Sequence, residues 1–246
     1  FDVAARWGRI IERMMWTLRH TTFPDGEFPV LNDTRHYGRA FGEPPEASVL
    51  LGGVGHAILA GGAGEAQTRP RLDFSHTVGH RHRDALHLIY YGDGVETVGG
   101  TAYRNPDQAW NTSTLSHNLV AIDGEEQEGS YFVDWTMSPY VPGVGRSELV
   151  RQRWNPDSNN VHNDVLLWEP SFGGFDDVQV TEVDGLDAYR DHADRYRRML
   201  VLVRVEGDDY YLGDFFRVRG GTQYDWLLHG GHDANTLSLP LSTSSA

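Results

Sequence analysis

Residues 75–94 read SHTVGHRHRDALHLIYYGDG and hold four of the chain's twelve histidines. His80, His82 and Asp84 stand two apart, so an extended backbone puts them on one face and Arg81 and Arg83 on the other. Two imidazoles at this spacing, with a carboxylate two residues on, suit a metal site in which the carboxylate orients a ligand from behind. The same pattern suits the solvated polar end of a strand. Imidazole also titrates near neutrality and can move a proton. A second cluster lies in WNTSTLSHNLVAIDGEEQ, residues 110–127, where His117 and Asn118 stand just before an apolar run. If both segments open strands, pairing them brings the histidines to one rim; a polar loop between strands is the plainer alternative.

The elements that must carry these residues change along the chain. Residues 2–20 place Val3, Trp7, Ile10, Met14, Met15 and Leu18 at spacings near three and four, which predicts a helix. The turn-rich TTFPDGEFPVLNDT stops it. Residues 46–60 predict a second helix, interrupted by glycines, and residues 61–71 a loop or a domain boundary. From residue 84, short runs rich in Val, Leu, Tyr and Trp alternate with Gly, Asp, Asn and Pro. Strands are expected at 85–92, 95–99, 118–123, 131–136, 147–154, 164–170, 178–183, 197–206, 209–218 and 223–230, with a hairpin at EGDD, 206–209. The fold class is mainly β: a large antiparallel β-sandwich, preceded by a helical segment.

Composition excludes several functions. The 246 residues are 39% hydrophobic and 11% aromatic, enough for a sizeable core. No run is long and apolar enough to span a membrane. The chain has no cysteine, so disulfides and thiolate metal sites are excluded and the redox compartment stays open. The net charge of −14 argues against a nucleic-acid partner. A polyanionic substrate would need a locally basic site, and the Arg/His cluster at 76–83 and YRDHADRYRRM, 189–199, are candidates. The chain opens on Phe1 with no visible signal peptide, so a processed or shortened chain is expected.

Together, the two histidine segments resemble the heparinase II/III-like polysaccharide lyases, which include alginate and oligo-alginate lyases and heparin lyases. The matching residues are His80, His82 and Asp84, then Trp110, Thr114, His117, Asn118, Asp123, Gly124 and Gln127. The arginine-led strand, the DFF strand and the GGTQYDWLLHG run near the end are similar to the family's sandwich. FPDGEFPVLNDT is similar to the last turns of its helical (α/α) toroid. The resemblance implies a toroid end over 1–68 and an antiparallel sandwich over 69–246. It implies a uronic-acid-containing glycan, an acidic poly- or oligosaccharide, cleaved by β-elimination: removal of the C5 proton and departure of O4. His80 is then a base or a neutraliser of the substrate carboxylate. Tyr103 is a candidate acid, and Arg104, His36 and Tyr37 are candidate substrate-binding residues. His82 and His117 match two ligands of a structural divalent metal, zinc in class. Secretion or a periplasmic location also follows from the resemblance, as does an N-terminal toroid segment, upstream of this chain, that supplies the remaining catalytic residues.

The chain departs from the family pattern in two places. Relatives with the metal carry an aspartate nineteen or twenty residues after the first histidine, where this chain has Gly99 and Gly100. Asp93 or Asp123 would have to replace it. Asn111 stands where relatives often have tyrosine. His229 and His232 are expected to mark a turn. Two rival readings are a uronyl C5-epimerase of the same superfamily and a non-catalytic carbohydrate-binding sandwich.

Overall fold

Helix α1 (Val3–Thr21) forms where the apolar spacing predicts it. Arg19 and His20 sit in its last turn, favourably placed against the negative end of the helix dipole. The hydroxyls of Thr21 and Thr22 donate to the Leu18 carbonyl at 2.9 and 2.8 Å, closing the helix end. Gly26, at φ +86°, then turns the chain, its N–H bonded to the Phe23 carbonyl. The structure is a computed structural model that describes residues 3–32, 34, 44–75, 82–101, 108–128 and 163–230. The expected strands at 131–136 and 147–154 lie outside the described residues.

Five strands follow in one antiparallel sheet, each beside the next in sequence: β1 (Val49–Leu51), β2 (His56–Ile58), β3 (Arg69–Asp73), β4 (His87–Gly92) and β5 (Val95–Val98). The strands lie on both sides of position 68. The helix expected over 46–60 is instead the β1–β2 hairpin. Its glycines serve the turn: Gly55 sits at φ +88°, and a Cβ there would lie 2.2 Å from the Ser75 Cα. Part of the loop expected over 61–71 is the start of β3, every residue of which is buried. A strand covered on both faces shows no alternation to read. The β4–β5 turn is Asp93–Gly94 with both residues at positive φ, the geometry a two-residue hairpin requires.

The short helix α2 (Gln108–Asn111) leads to β6 (Val120–Ile122). Strands β7 (Asp164–Glu169), β8 (Val178–Asp184), β9 (Arg195–Glu206) and β10 (Asp209–Arg219) form a second antiparallel sheet, again in sequence order. The β9–β10 hairpin turns where EGDD predicts it. β11 (Tyr224–Trp226) pairs with β6. Between the sheets lies the main core, with Leu72, Phe74 and Leu88 from one side and Val183, Tyr196, Leu200 and Leu202 from the other. Fully burying one such side chain contributes about 1.5–3 kcal/mol. The architecture is mainly β, antiparallel, with one long helix ahead of it, as expected.

The opposite face of the five-stranded sheet is also buried but charged. Arg69 and Arg71 lie one step apart on it and donate to the carbonyls of His20 and Thr21 at 3.2 and 2.9 Å. Two guanidinium groups thus satisfy the open carbonyls at the end of α1 and fix the helix to the sheet.

Candidate metal centre and active site

His82 and Asp84 do not sit in a strand. β4 begins only at His87, and residues 82–86 form a turn into it. The turn is held from three sides. Asn32, at φ +52°, accepts the His82 main-chain N–H at 3.0 Å. The Arg83 N–H donates to the Thr112 carbonyl at 3.1 Å. The Gln127 side chain bonds both the N–H and the C=O of Ala85, at 2.7 and 3.0 Å. His117 comes in from the end of a single 3₁₀ turn, Thr114–Ser116. The strands β4 and β6 do not pair; their starts are joined by one main-chain bond, Leu88 N–H to Asn118 O, at 3.1 Å.

This scaffold brings His82, Asp84 and His117 together, fully buried, with one ligand atom from each inside a 4.8 Å span. His82 Nδ1 and His117 Nε2 are 3.1 Å apart, and Asp84 Oδ2 is 3.7 Å from His117 Nε2. Two nitrogens bound at about 2.0–2.1 Å to one tetrahedral zinc stand about 3.3–3.4 Å apart. His117 Nδ1 lies 2.7 Å from the Ser113 carbonyl, which can only accept, so Nδ1 carries the proton and Nε2 turns its lone pair to the cluster. Burial, and next the neighbouring His82, push the His117 imidazole down to about 3. His117 is therefore neutral, as a ligand must be. The donor set fits a divalent metal ion of the zinc class. Its third member is Asp84, not Asp93, which sits in the β4–β5 turn, or Asp123, which ties a surface turn to Thr222 and Gln223.

Gly100 has a structural reason. A Cβ at this position would meet the Val30 carbonyl oxygen at 2.4 Å and His87 Nε2 at 3.5 Å. No carboxylate side chain fits there without moving the backbone.

His87 is part of the same cluster rather than set apart from it by strand alternation. Its ring stands edge-on to His117 at 5.1 Å and is fully buried. The Asn118 N–H donates to His87 Nδ1 at 2.9 Å, so the neutral ring carries its proton on Nε2, an atom with no hydrogen-bond partner. Burial, then His117 and Arg198, hold this imidazole well below its ordinary range. With Nδ1 occupied and Nε2 protonated, His87 supports the centre without being a ligand.

Asn118 uses every polar atom it has. Its side-chain N–H groups reach the Leu88 and Gly99 carbonyls at 3.0 and 2.8 Å, and its Oδ1 accepts the His229 N–H at 2.5 Å. Its own carbonyl accepts from Arg198 at 2.5 Å. Arg198 also bonds the Leu86 carbonyl at 2.7 Å and grips Asp214 at both oxygens, at 2.9 and 2.5 Å. One buried guanidinium thus joins the β9–β10 hairpin to the two segments that carry the cluster. Neither role was read from the sequence. The register could have revealed the pair: counting back from the β9–β10 turn sets Arg198 opposite Phe216 and diagonal to Asp214.

The stretch 189–199 is not a free basic patch. Arg190 pairs with Glu128, Arg197 with Asp184 and Arg198 with Asp214. His229 is packed on Trp110 and bonded to the Leu115 carbonyl, so it joins the rim of the site instead of merely marking a turn. His80, Tyr103, Arg104, His36, Tyr37 and His232 lie outside the described residues.

The chain is similar in structure to a heparinase III gene product, at TM-score 0.64 and 14% identity over 94% of this chain and 36% of that one. It is also similar to the heparan sulfate lyase HepC from Pedobacter heparinus, at TM-score 0.60 and 12% identity over 88% of this chain and 33% of that one. A further crystal structure of heparinase III matches at TM-score 0.56 and 13% identity over 84% of this chain. The likeness is one of fold, and this chain spans about a third of those chains' length. No protein-family model and no curated protein matches the sequence.

Proposed function

We propose that this chain is the sandwich part of a polysaccharide lyase that cleaves a uronic-acid-containing glycan by β-elimination. The observation that carries the reading is the buried His82–Asp84–His117 cluster on a fold shared with heparinase III. In this reading His80, two residues before His82, acts as base or as neutraliser of the uronate carboxylate, which makes the C5 proton acidic enough to remove. Tyr103 returns a proton to the departing O4. Arg104, His36 and Tyr37 bind the acidic sugar. His82, Asp84 and His117 would hold a divalent metal ion, which would supply positive charge to the buried cluster rather than a reacting group. The ligands are buried and enclosed, the pattern of a structural site.

The remaining catalytic groups come from a helical toroid to which α1 belongs. Trp7, Ile11 and Met14 lie on one side of α1 and are 59%, 56% and 60% exposed, a stripe suited to further helices. Work on a secreted or periplasmic glycan agrees with this reading; among the described residues no helix is long and apolar enough to cross a membrane.

The test uses the complete protein and a panel of uronate polysaccharides. A lyase leaves an unsaturated product that absorbs in the ultraviolet, whereas a C5-epimerase inverts the sugar without it and a binding module does neither. His80→Ala should lower kcat about a hundredfold or more, the scale of general acid–base and electrostatic contributions, while Asp208→Asn on the far β9–β10 hairpin should leave it unchanged. Near-normal turnover in His80→Ala removes the assignment. Protein purified without chelator should carry close to one metal ion per chain, and His117→Ala should lose it. Metal-free protein whose melting temperature ignores added zinc removes the metal.

A further inference from the structure

Among the described residues, four that are not glycine have a left-handed backbone: Asn32, Asp93 and Asp123, at φ +52° to +54°, and Leu86, at φ +66°. Asparagine and aspartate visit this region readily, because their short polar side chains bond locally. A leucine there presses its Cβ towards the following carbonyl oxygen, so something else must hold it. Leu86 lies two residues after Asp84 and just before His87, in the turn that carries one side of the histidine cluster.

The bonds of the turn show what Leu86 does. The His87 N–H donates to the Asp84 carbonyl at 2.9 Å, which makes Ala85 and Leu86 the central pair of a four-residue turn. A left-handed third residue marks the turn type that ordinarily carries glycine there. In the commoner type the peptide between the central residues is rotated and the third residue is relaxed. Here the carbonyl of that peptide, Ala85 C=O, accepts from Gln127 Nε2 at 3.0 Å, and rotation would turn it away. Gln127 also accepts the Ala85 N–H, at 2.7 Å, and donates its own main-chain N–H to the Thr114 hydroxyl at 2.8 Å. Thr114 opens the 3₁₀ turn that ends at His117. One glutamine thus sets the His82–Asp84 side of the cluster against the His117 side, and the left-handed form of Leu86 gives it both of its bonds to Ala85. Two contacts hold Leu86 in that form. Arg198 donates to its carbonyl at 2.7 Å. Its side chain is fully buried in the main core, over Gly185, where a Cβ would lie 2.9 Å from Leu86 Cγ.

We propose that Leu86 is a positioning residue of the metal centre. Its core side chain keeps a strained turn in place, and the turn, through Gln127, keeps His82 and Asp84 in register with His117. The inference rests on the metal reading of the cluster and adds to it a residue that touches no ion. The left-handed form is held by packing and not preferred by the backbone of leucine. Ion binding and core packing therefore act on one equilibrium, and each favours the same form of the turn.

The test is a zinc titration of the complete protein, stripped of metal, against a competing indicator chelator. Leu86→Ala keeps the backbone strain and loses the side chain that enforces it, so zinc should bind at least tenfold more weakly. Leu86→Gly loses the same side chain and the strain with it. Its zinc affinity should stay within threefold of the wild type, and it should melt above Leu86→Ala, the reverse of the usual order of these two residues. A residue that served the core alone would not be rescued by glycine. Gly185→Ala approaches the same turn from the other side and decides the matter if Leu86→Ala does not fold. It should weaken zinc binding at least fivefold where Leu86 is present, and less than twofold in the Leu86→Gly background, which has no side chain to displace. Equal zinc affinities of Leu86→Ala and Leu86→Gly, or a Gly185→Ala loss of the same size in both backgrounds, overturn the proposal and leave the metal centre standing. A wild-type protein that takes up no zinc removes the metal centre, and the proposal with it.

Discussion

Asn118 shows how a residue next to a proposed ligand can matter without touching substrate. Its side chain joins β4, the end of β5 and the segment after β11, and all of it is buried. Asn118→Ala leaves the buried Leu88 carbonyl, and the partly buried Gly99 carbonyl and His229 N–H, without this partner. Each such orphan costs about 1–3 kcal/mol, so a loss of about 3 kcal/mol or more is expected. Urea unfolding should show a lower midpoint with an unchanged slope. Histidine spacing was enough to single out His82 and His117, because two ligand segments share a recognisable texture. Asp84 was visible as a carboxylate but was read as a helper behind a ligand. Alternation counted from residue 80 would set His87 on the face away from His80 and His82, whereas the strand starts at 87. A turn of five residues ahead of a strand resets the face count, and nothing in the sequence marks where that happens.

At the scale of elements, the β9–β10 hairpin is tied to the site by Arg198. Arg198→Ala strands the Asp214 carboxylate and two main-chain carbonyls, and breaking a buried pair from one side costs about 3–5 kcal/mol. The double variant Arg198→Met, Asp214→Leu should recover a large part of that loss, because it leaves no buried charge unpaired. Chemical denaturation of the two variants side by side measures this; equal losses would mean that the two carbonyls, not Asp214, dominate. The long strands β9 and β10 were legible because one face is buried and the other wet, so their residues alternate. β1 and β2 were not, being three residues long and set beside glycines, and β3 was not, being buried on both faces. Helix α1 was legible from its apolar spacing, yet that same stripe is exposed. Replacing Ile11 and Met14 by glutamine in this chain should therefore reduce binding of a hydrophobic dye and leave the melting temperature of the sandwich unchanged.

For the whole molecule, the buried ionisable groups of the five-stranded sheet set the pH dependence of stability. Burial, against the pull of Asp73, holds the His56 imidazole down to about 4. The unfolded chain binds a proton there at its ordinary pKa of 6.5 and the folded chain does not, so between about 6.5 and 4 stability falls as pH falls. Burial raises Glu96 from 4.5 to about 7. Here the folded chain holds the extra proton, so this contribution is complete below 4.5 and is lost as pH rises to about 7. His87, also held low by burial, acts in the same direction as His56. Two histidines outweigh one carboxyl on the acid side, and melting temperature should peak near neutrality. Glu96→Gln should steepen the fall of melting temperature between about pH 7 and 4.5, because the opposing contribution is gone; a scan of melting temperature against pH reads it.

Each of the two larger sheets runs its strands in sequence order, so most pairings join neighbours along the chain. The bonds that assemble the histidine cluster do not: Arg198 to Asn118 spans 80 residues, Asn118 to His229 spans 111 and Arg198 to Leu86 spans 112. Closing such loops has an entropic cost that local hairpins avoid, so hairpins form early and distant ties late. The site is thus the last part of the molecule to form and the first to let go. Variants at Asn118 and Arg198 should speed unfolding by nearly the full stability loss while the refolding rate barely changes.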